Sequence, residues 1–409
     1  MNGVEKELGW AERLELMGLL FLHGMALAAW FVPMGMVLQA SNLGEWTAFA
    51  FGASAIAALV SPLFFGAMAD RSVPPIQVLR WVCVGASLLS TLLSYGIQNA
   101  WSGWAIWIVI QLQSLLSVPT NSLTGSIVFA RLANSHKHFG MIRSMGTAGW
   151  MVGCWLVSGL KWDSSPQTFE LSGLLWLVVA AYTLLVPSEP VPTSPSARLS
   201  LRQRFGLDAL TLLRNHDHRV IFLTAALVAV PFAAFYPYTP THMRDLGMER
   251  TSAWMSLGQA IEVVVMIAFG ASMVRWRPKW VILAGLSSGF LRYLFYATDA
   301  QIPLLIGVGL HGLTYTFTYI TTQIYLAQRI DPAWRTRAQA LLSLTVGGLG
   351  NLSGYMITGG WLRYCKNESG WNWFAYWVGL DLLVLFVLVY FAVSYHDDSE
   401  MKRNSVTTR

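Results

Sequence analysis

Thr251-Ser-Ala-Trp-Met-Ser-Leu-Gly-Gln259-Ala-Ile-Glu262-Val-Val-Val-Met-Ile-Ala-Phe-Gly-Ala-Ser-Met273 carries a single charge. The run meets the ~20 residues that a helix needs to cross a bilayer. A carboxylate about ten residues inside it is costly in lipid, so Glu262 is expected to face a protein or water-lined interior. Gln259, three residues earlier, lies on the same helical face. At ~1.5 Å per residue, Glu262 sits roughly 15 Å from the end of its span, near the midplane of a ~30 Å hydrocarbon core.

The rest of the chain reads the same way. Of its 409 residues, 55% are hydrophobic and 12% charged, with mean hydropathy +0.49; soluble domains carry about 25% charged residues. Twelve apolar stretches recur, at roughly 14–37, 46–69, 76–97, 101–127, 139–160, 169–187, 218–242, 252–273, 280–297, 302–327, 336–360 and 371–395. They predict an all-α membrane protein with 12 transmembrane helices. No small-residue cleavage site follows the first apolar core, so that segment is expected to remain as a span.

Charge sets the orientation. With the N-terminus in the cytoplasm, most basic residues fall inside, including the clusters Arg198–Arg204, Arg275–Lys279 and Arg329–Arg337. Only Lys161, Arg244, Arg250, Arg363 and Lys366 fall outside, while Arg143 and Arg292 lie within spans. This positive-inside asymmetry predicts that both termini are cytoplasmic. The net charge of +6 therefore orients the chain in the bilayer and calls for no nucleic-acid partner.

The longest polar interruption, Ser188 to Asp217, carries Pro190, Pro192 and Pro195 before the basic stretch. It divides the chain into an N-terminal six-helix bundle (1–187), a cytoplasmic linker (188–217) and a C-terminal six-helix bundle with its tail (218–409). That layout suits transporters built from two similar halves around a midplane cavity. The linker's second half, Leu199–Leu213, has apolar residues at helical spacing and is expected to lie on the membrane surface. Pro237 and Pro240 are expected to break span seven, either as a gate or as a plain helix end. Glycines 146, 149 and 153 in span five and 347, 348, 350 and 354 in span eleven allow close helix contacts. Cys83 and Cys154 read as packing residues, and no cysteine has metal-ligand spacing. No phosphate-cradling motif and no nucleophile–base constellation is found. The expectation is a protein that is not an enzyme, without metal or cofactor, driven by an ion or solute gradient.

Gly66-Ala-Met-Ala-Asp70-Arg71 resembles the loop motif of the major facilitator superfamily, with Ser72-Val-Pro-Pro in place of its basic second half. The resemblance implies the major facilitator fold and a latch formed by Gly66, Asp70 and Arg71. Pro119-Thr-Asn-Ser-Leu-Thr and Phe139-Gly-Met-Ile-Arg143-Ser-Met-Gly-Thr147-Ala-Gly-Trp150 are similar to the span four–five region of bacterial nucleoside–proton symporters. Gln259-Ala-Ile-Glu262 resembles that family's Gln-x-x-Glu, and Arg335-Thr-Arg-Ala-Gln339 its Arg-x-x-Ala-Gln. By that resemblance Arg143, Thr147 and Trp150 hold the solute, Gln259 and Glu262 hydrogen-bond ribose or base, and Tyr315 stacks on the nucleobase. Phe235 and Tyr236 in span seven, Thr316 and Tyr319 beside Tyr315, and Trp30 in span one complete the expected lining. Thr316 stands where well-known members carry an acid, and Ala233 and Tyr236 where some carry polar residues.

The residues support a compatible reading by themselves. The hydroxyls Thr314, Thr316, Thr318, Tyr319, Thr321 and Thr322 surround Tyr315 at mid-depth. Aromatic faces and hydroxyls together suit a ring with polar edges; alternatively, the threonines bond only neighbouring backbones. Burial raises a carboxyl pKa and a nearby cation lowers it, so Glu262 is a candidate proton carrier. The structural alternative is a fixed ion pair with Arg292. His23 and His311 either relay protons near pH 7 or are held in helix packing. Asp381 in span twelve is a weaker candidate. The expected function is nucleoside import by proton symport in an inner (plasma) membrane, by a monomer, through alternating access. A sugar or other small-solute symporter, a uniporter and a non-transporting receptor are the alternatives.

Overall fold

The computed structural model describes residues 9–69, 73–131, 136–187, 200–273, 275–368 and 370–396. Asp70 and Arg71 of the expected latch lie outside these residues, as does linker stretch 188–199. The described chain is helical apart from one short hairpin. In order the helices are α1 (Trp10–Phe31), α2 (Met34–Ala40), α3 (Thr47–Ala69), α4 (Pro75–Gln98), α5 (Gly103–Arg131), α6 (His136–Gly159), α7 (Gln167–Tyr182) and α8 (Leu201–Arg204). They continue as α9 (His216–Phe232), α10 (Phe235–Asp245), α11 (Thr251–Met273), α12 (Pro278–Ala297), α13 (Gln301–Tyr315) and α14 (Thr321–Arg329). The last three are α15 (Pro332–Ser343), α16 (Asn351–Tyr364) and α17 (Trp373–Ser394), and β1 (Lys366–Asn367) pairs antiparallel with β2 (Gly370–Trp371).

Among the described residues, 8 helical stretches are long and apolar enough to cross a membrane. With no water to satisfy the backbone in hydrocarbon, helices are the economical way to bury such sequences. The other expected stretches also fold as helices. Among them, α7 has 16 residues, α6 opens on His136-Lys137-His138, and α13 and α14 are separated by Thr316–Ile320.

The chain divides into two compact units. The first comprises Met1–Arg198 with Tyr236–Ser256, the second Leu199–Phe235 with Leu257–Arg409. In the first unit α1 packs on α6 and α7, and α4 on α5 and α7. The span-five glycines work as expected: a Cβ at Gly153 would come 2.7 Å from the Met25 carbonyl, so α1 and α6 touch backbone to backbone. His23 is buried at this contact, its Nε2 2.7 Å from Thr120 Oγ1 and its ring edge-on to Trp176; it is a packing histidine. All three cysteines are free and buried.

Two expectations are corrected. The break in span seven falls at Ala233–Ala234, ahead of the prolines. Pro237 occupies the first turn of α10, where a missing N–H costs nothing, and α10 continues through Pro240. The linker's second half is no continuous surface helix. It forms α8 and a 3-10 turn, Leu207–Arg214, that docks on α15 with Asp208 Oδ2 2.9 Å from Arg337 Nη1.

The start of α11 is capped by side chains distant in sequence. Asp163, 9% exposed, accepts the Ser252 N–H at 2.7 Å and the Ser158 hydroxyl at 2.8 Å, and Ser158 Oγ accepts the Ala253 N–H at 2.9 Å. These bonds satisfy first-turn donors that no carbonyl reaches and set an anion at the positive end of the helix. Losing such a cap costs about 1 kcal/mol. Asp163→Ala is therefore expected to lower the thermal unfolding midpoint of the detergent-solubilised protein, and Ser158→Ala to lower it less. An unchanged midpoint in both would show that the cap contributes nothing.

Candidate functional site

In the first unit the expected residues lie along α6. Arg143 is exposed and folds back along its helix: a Cβ at Gly146 would lie 3.2 Å from its Nη1. Thr147 and Trp150 follow on the same side, each partly buried. Trp150 Nε1 is buried and has no hydrogen-bond partner among the described residues, so it is a donor awaiting an acceptor. Its ring lies 6.0 Å from that of Tyr236.

Trp30 is placed differently from its expectation. It is 2% exposed and stands behind Phe31, with ring centroids 6.0 Å apart. Phe31 is the partly exposed ring, 6.2 Å from Trp150, 5.3 Å from Tyr236 and 5.1 Å from Phe51. Sequence reasoning missed it because a phenylalanine in an apolar span carries no signal of its own. Only the end of α1 ahead of Pro33, where the helix turns, could have marked the position.

The second unit gathers the rest. α11 crosses α13 where both carry glycine: a Cβ at Gly312 would come 2.5 Å from the Gly258 carbonyl and 3.0 Å from Glu262 Cα. This contact sets Gln259 (buried) and Glu262 (partly buried) against α13. His311 and Tyr315 on α13, and Tyr319 in the turn that follows it, recur every fourth residue and are all partly exposed. Their rings form a column. Phe235 stacks on His311 at 3.8 Å and 8°, His311 lies 6.3 Å from Tyr315, and Tyr315 lies 5.5 Å from Tyr319.

The threonines are not part of that face. Thr314, Thr316 and Thr318 are fully buried. Thr314 bonds the Leu310 carbonyl at 2.9 Å and Thr322 the Thr318 carbonyl at 2.8 Å, while the hydroxyls of Thr316 and Thr318 have no hydrogen-bond partner among the described residues. Thr316, expected in the lining, points into the unit instead, since one residue along a helix turns a side chain by ~100°. Residues Thr316–Ile320 form a π-turn, an irregularity common at functional sites that the residue pattern did not announce.

Arg292 does not form the ion pair with Glu262 that their depths allowed. Its Nη1 meets His311 Nδ1 at 2.9 Å, and its guanidinium lies 4.6 Å from the ring of Phe232 and 4.5 Å from that of Tyr293. At the end of α17, His216, Asp217 and His396 come within metal-ligand reach of one another. Both ring nitrogens of His216 already meet protein groups, Nε2 the Ser394 carbonyl at 2.8 Å and Nδ1 the Arg219 guanidinium at 3.3 Å. The Asp217 carboxylate accepts the His396 N–H at 3.3 Å. The cluster reads as a clasp holding the end of α17 to α9.

A multi-pass helical protein that holds polar and ionisable side chains on facing helices, deep in its spans, is a membrane transporter in construction. Residues 9–400 match the nucleoside H+ symporter family, and the chain belongs to it. It is 29% identical to the putative nucleoside transporter YegT of Escherichia coli (strain K12), over 96% of each chain. It is 27% identical to the xanthosine permease of the same organism, over 97% of this chain and 99% of the relative. The crystal structure of the nucleoside transporter NupG superposes with a TM-score of 0.83 at 20% identity, covering 94% of this chain and 99% of that one, which shows the same fold.

The crossing of α11 and α13 has a direct test. Gly312→Ala is expected to reduce the yield of monodisperse protein on size-exclusion chromatography severalfold, because its Cβ collides with the α11 backbone. Gly270→Ala, on the same α11 but with nothing within 4 Å, is expected to behave as wild type. Equal behaviour of the two variants would remove the crossing as the organiser of the site.

Proposed function

We infer that this chain imports nucleosides across a bacterial inner membrane by proton symport, through alternating access. The observation that carries the reading is the face formed by Gln259, Glu262 and the ring column of Phe235, His311, Tyr315 and Tyr319, in a chain of the nucleoside H+ symporter family. Stacking tolerates any nucleobase, while the polar pair fixes ribose or base orientation. In this reading the chain has twelve spans with both termini cytoplasmic, arranged as six-helix bundles 1–187 and 218–409 joined by linker 188–217. It works as a monomer in the lipid bilayer.

Arg143, Thr147 and Trp150 contribute from the first unit, with Tyr236 tilted against Trp150 and Trp30 supporting the aromatic group from behind. Gln259, Glu262, Phe235, Tyr315 and Tyr319 contribute from the second, with Thr316 buried beneath them. Glu262 carries the proton: deep in a span, its carboxyl is neutral when protonated and costly when charged, so proton and solute occupancy are coupled. Gly66, Asp70 and Arg71 latch the cytoplasmic side.

Thr316 favours a second reading, a nucleoside uniporter, since it stands where well-known members carry an acid. Uptake of labelled uridine and adenosine into proteoliposomes, with and without an inward proton gradient, separates the two. Symport is expected to give accumulation above equilibrium only with the gradient. Equilibration that ignores it would establish the uniporter, and no nucleoside movement would refute both. Glu262→Gln is expected to abolish accumulation while nucleoside exchange survives. Equal loss of both would assign Glu262 to binding or folding.

A further inference from the structure

The solute-binding face leaves the stretch Arg275-Trp-Arg-Pro-Lys-Trp280 without a task. It lies where α11 ends and α12 begins. Both helices contain runs apolar enough to cross a membrane, Thr251–Gly270 and Pro278–Ala297, so the stretch marks a boundary between hydrocarbon and water. Positive charge at such a boundary orients a membrane protein, and orientation needs no cavity. Here the charge stands at one.

The cavity has a volume of about 440 Å³. Arg275, Trp276, Arg277 and Trp280 line it, all of them exposed, together with the apolar Val281, Ala284 and Phe317. No acidic side chain is among the lining residues. The cations stand at the start of α12, whereas Ala284 lies about 9 Å further along the helix than Pro278, at ~1.5 Å per residue. The polar part therefore lies at the helix end and the apolar part toward the middle of the span. Aromatic surface joins the two: the ring of Trp276 lies 5.7 Å from that of Phe269, which lies 6.3 Å from Phe317. The third cation of the stretch is engaged elsewhere, since Lys279 Nζ donates to the Tyr395 carbonyl at 2.8 Å.

We propose that this cavity is a binding site for an anionic phospholipid, its phosphate held by Arg275 and Arg277 and its acyl chain laid along Trp280, Ala284 and Phe317. A guanidinium matches phosphate oxygens in charge and geometry. Arg277 is also the N-cap of α12, so the positive end of that helix adds to the two side-chain charges. Indole rings at a span end suit the headgroup level, and basic pockets between spans are sites where anionic headgroups bind. The combination selects among ligands. A soluble phosphate would meet the cations and leave the apolar part wet. A zwitterionic lipid would fill the apolar part but bring its own cation toward two others. An anionic lipid satisfies both parts.

The site also touches the second unit's irregular turn. Phe317 belongs to the π-turn Thr316–Ile320, between Tyr315 and Tyr319. α12 packs tightly on that turn, since a Cβ at Gly285 would come 2.9 Å from the Phe317 carbonyl carbon. A chain seated in the cavity braces the segment that carries Tyr319. With both termini cytoplasmic, the lipid comes from the cytoplasmic leaflet; the chemistry of the site does not depend on that orientation or on what is transported.

Native mass spectrometry of the full-length protein in detergent, titrated with dioleoyl phosphatidylglycerol or dioleoyl phosphatidylcholine, tests the site. Wild type is expected to bind the phosphatidylglycerol about tenfold more tightly, and Arg275→Gln with Arg277→Gln to lose that preference. Arg202→Gln with Arg214→Gln removes the same charge from other exposed positions and is expected to keep it. Ala284→Trp leaves the charges in place and fills the cavity, and is expected to weaken phosphatidylglycerol binding by about tenfold as well. Excess glycerol 1-phosphate is expected not to displace the lipid.

Absence of a preference in wild type, or its persistence in the Arg275 and Arg277 variant, overturns the proposal. So does an equal loss in the Arg202 and Arg214 variant, which would reduce the effect to net charge. Unchanged binding in Ala284→Trp would remove the cavity as the site, and displacement by glycerol 1-phosphate would assign it to a soluble anion. Should one of the two site variants fail to fold, the other decides. A wild-type protein that moves no nucleoside defeats the transport reading and leaves this binding test intact.

Discussion

The backbone contact between α11 and α13 at Gly258 and Gly312 is the constraint from which the rest of the second unit follows. Helices in lipid gain little from burying apolar side chains against one another, because lipid tails are equally apolar. They associate where backbones can approach, and small residues permit it. Here the approach does more than join two helices. Glu262 and Gln259 lie at the crossing on one side, and His311 on the other, so the polar groups that hydrocarbon would penalise are brought within reach of each other.

The same logic explains why the aromatic column stands where it does. His311, Tyr315 and Tyr319 follow one another at four-residue spacing along α13 and the turn after it, while Thr314, Thr316 and Thr318 are buried in the unit. Thr314 satisfies its hydroxyl on the Leu310 carbonyl, whereas the buried hydroxyls of Thr316 and Thr318 have no hydrogen-bond partner among the described residues. A threonine can hide its polarity in that way, but a tyrosine cannot, because its hydroxyl lies too far from its own backbone. Partial exposure of the rings and full burial of the threonines is therefore the expected division once the helix is formed.

Much of this was legible in the residues. Apolar run length marks where helices form, and the lone Glu262 in its run marks a wet or protein-lined face, since the bilayer penalty is large enough to be read from one residue. What escaped depends on contacts between distant segments. The break in span seven was assigned to Pro237 and Pro240, yet a proline in a first turn is harmless, and the turn falls at Ala233–Ala234. The linker's apolar spacing suggests one helical stretch, yet it folds as two short segments, the second docked against α15, a partner more than a hundred residues away. Phe31 and Trp30 are adjacent, and only packing decides which of the two rings is partly exposed.

Arg292 shows the limit most clearly. Its depth in span nine and that of Glu262 suggested an ion pair, the simplest way to hold a buried charge. The structure solves the problem without neutralising it, by a histidine nitrogen and three aromatic faces, Phe232, Phe235 and Tyr293. Cation–π contacts and one neutral acceptor stabilise a guanidinium less completely than a carboxylate would. An ion pair with Glu262 would have tied Arg292 to α11; the structure instead holds it between α12 and α13.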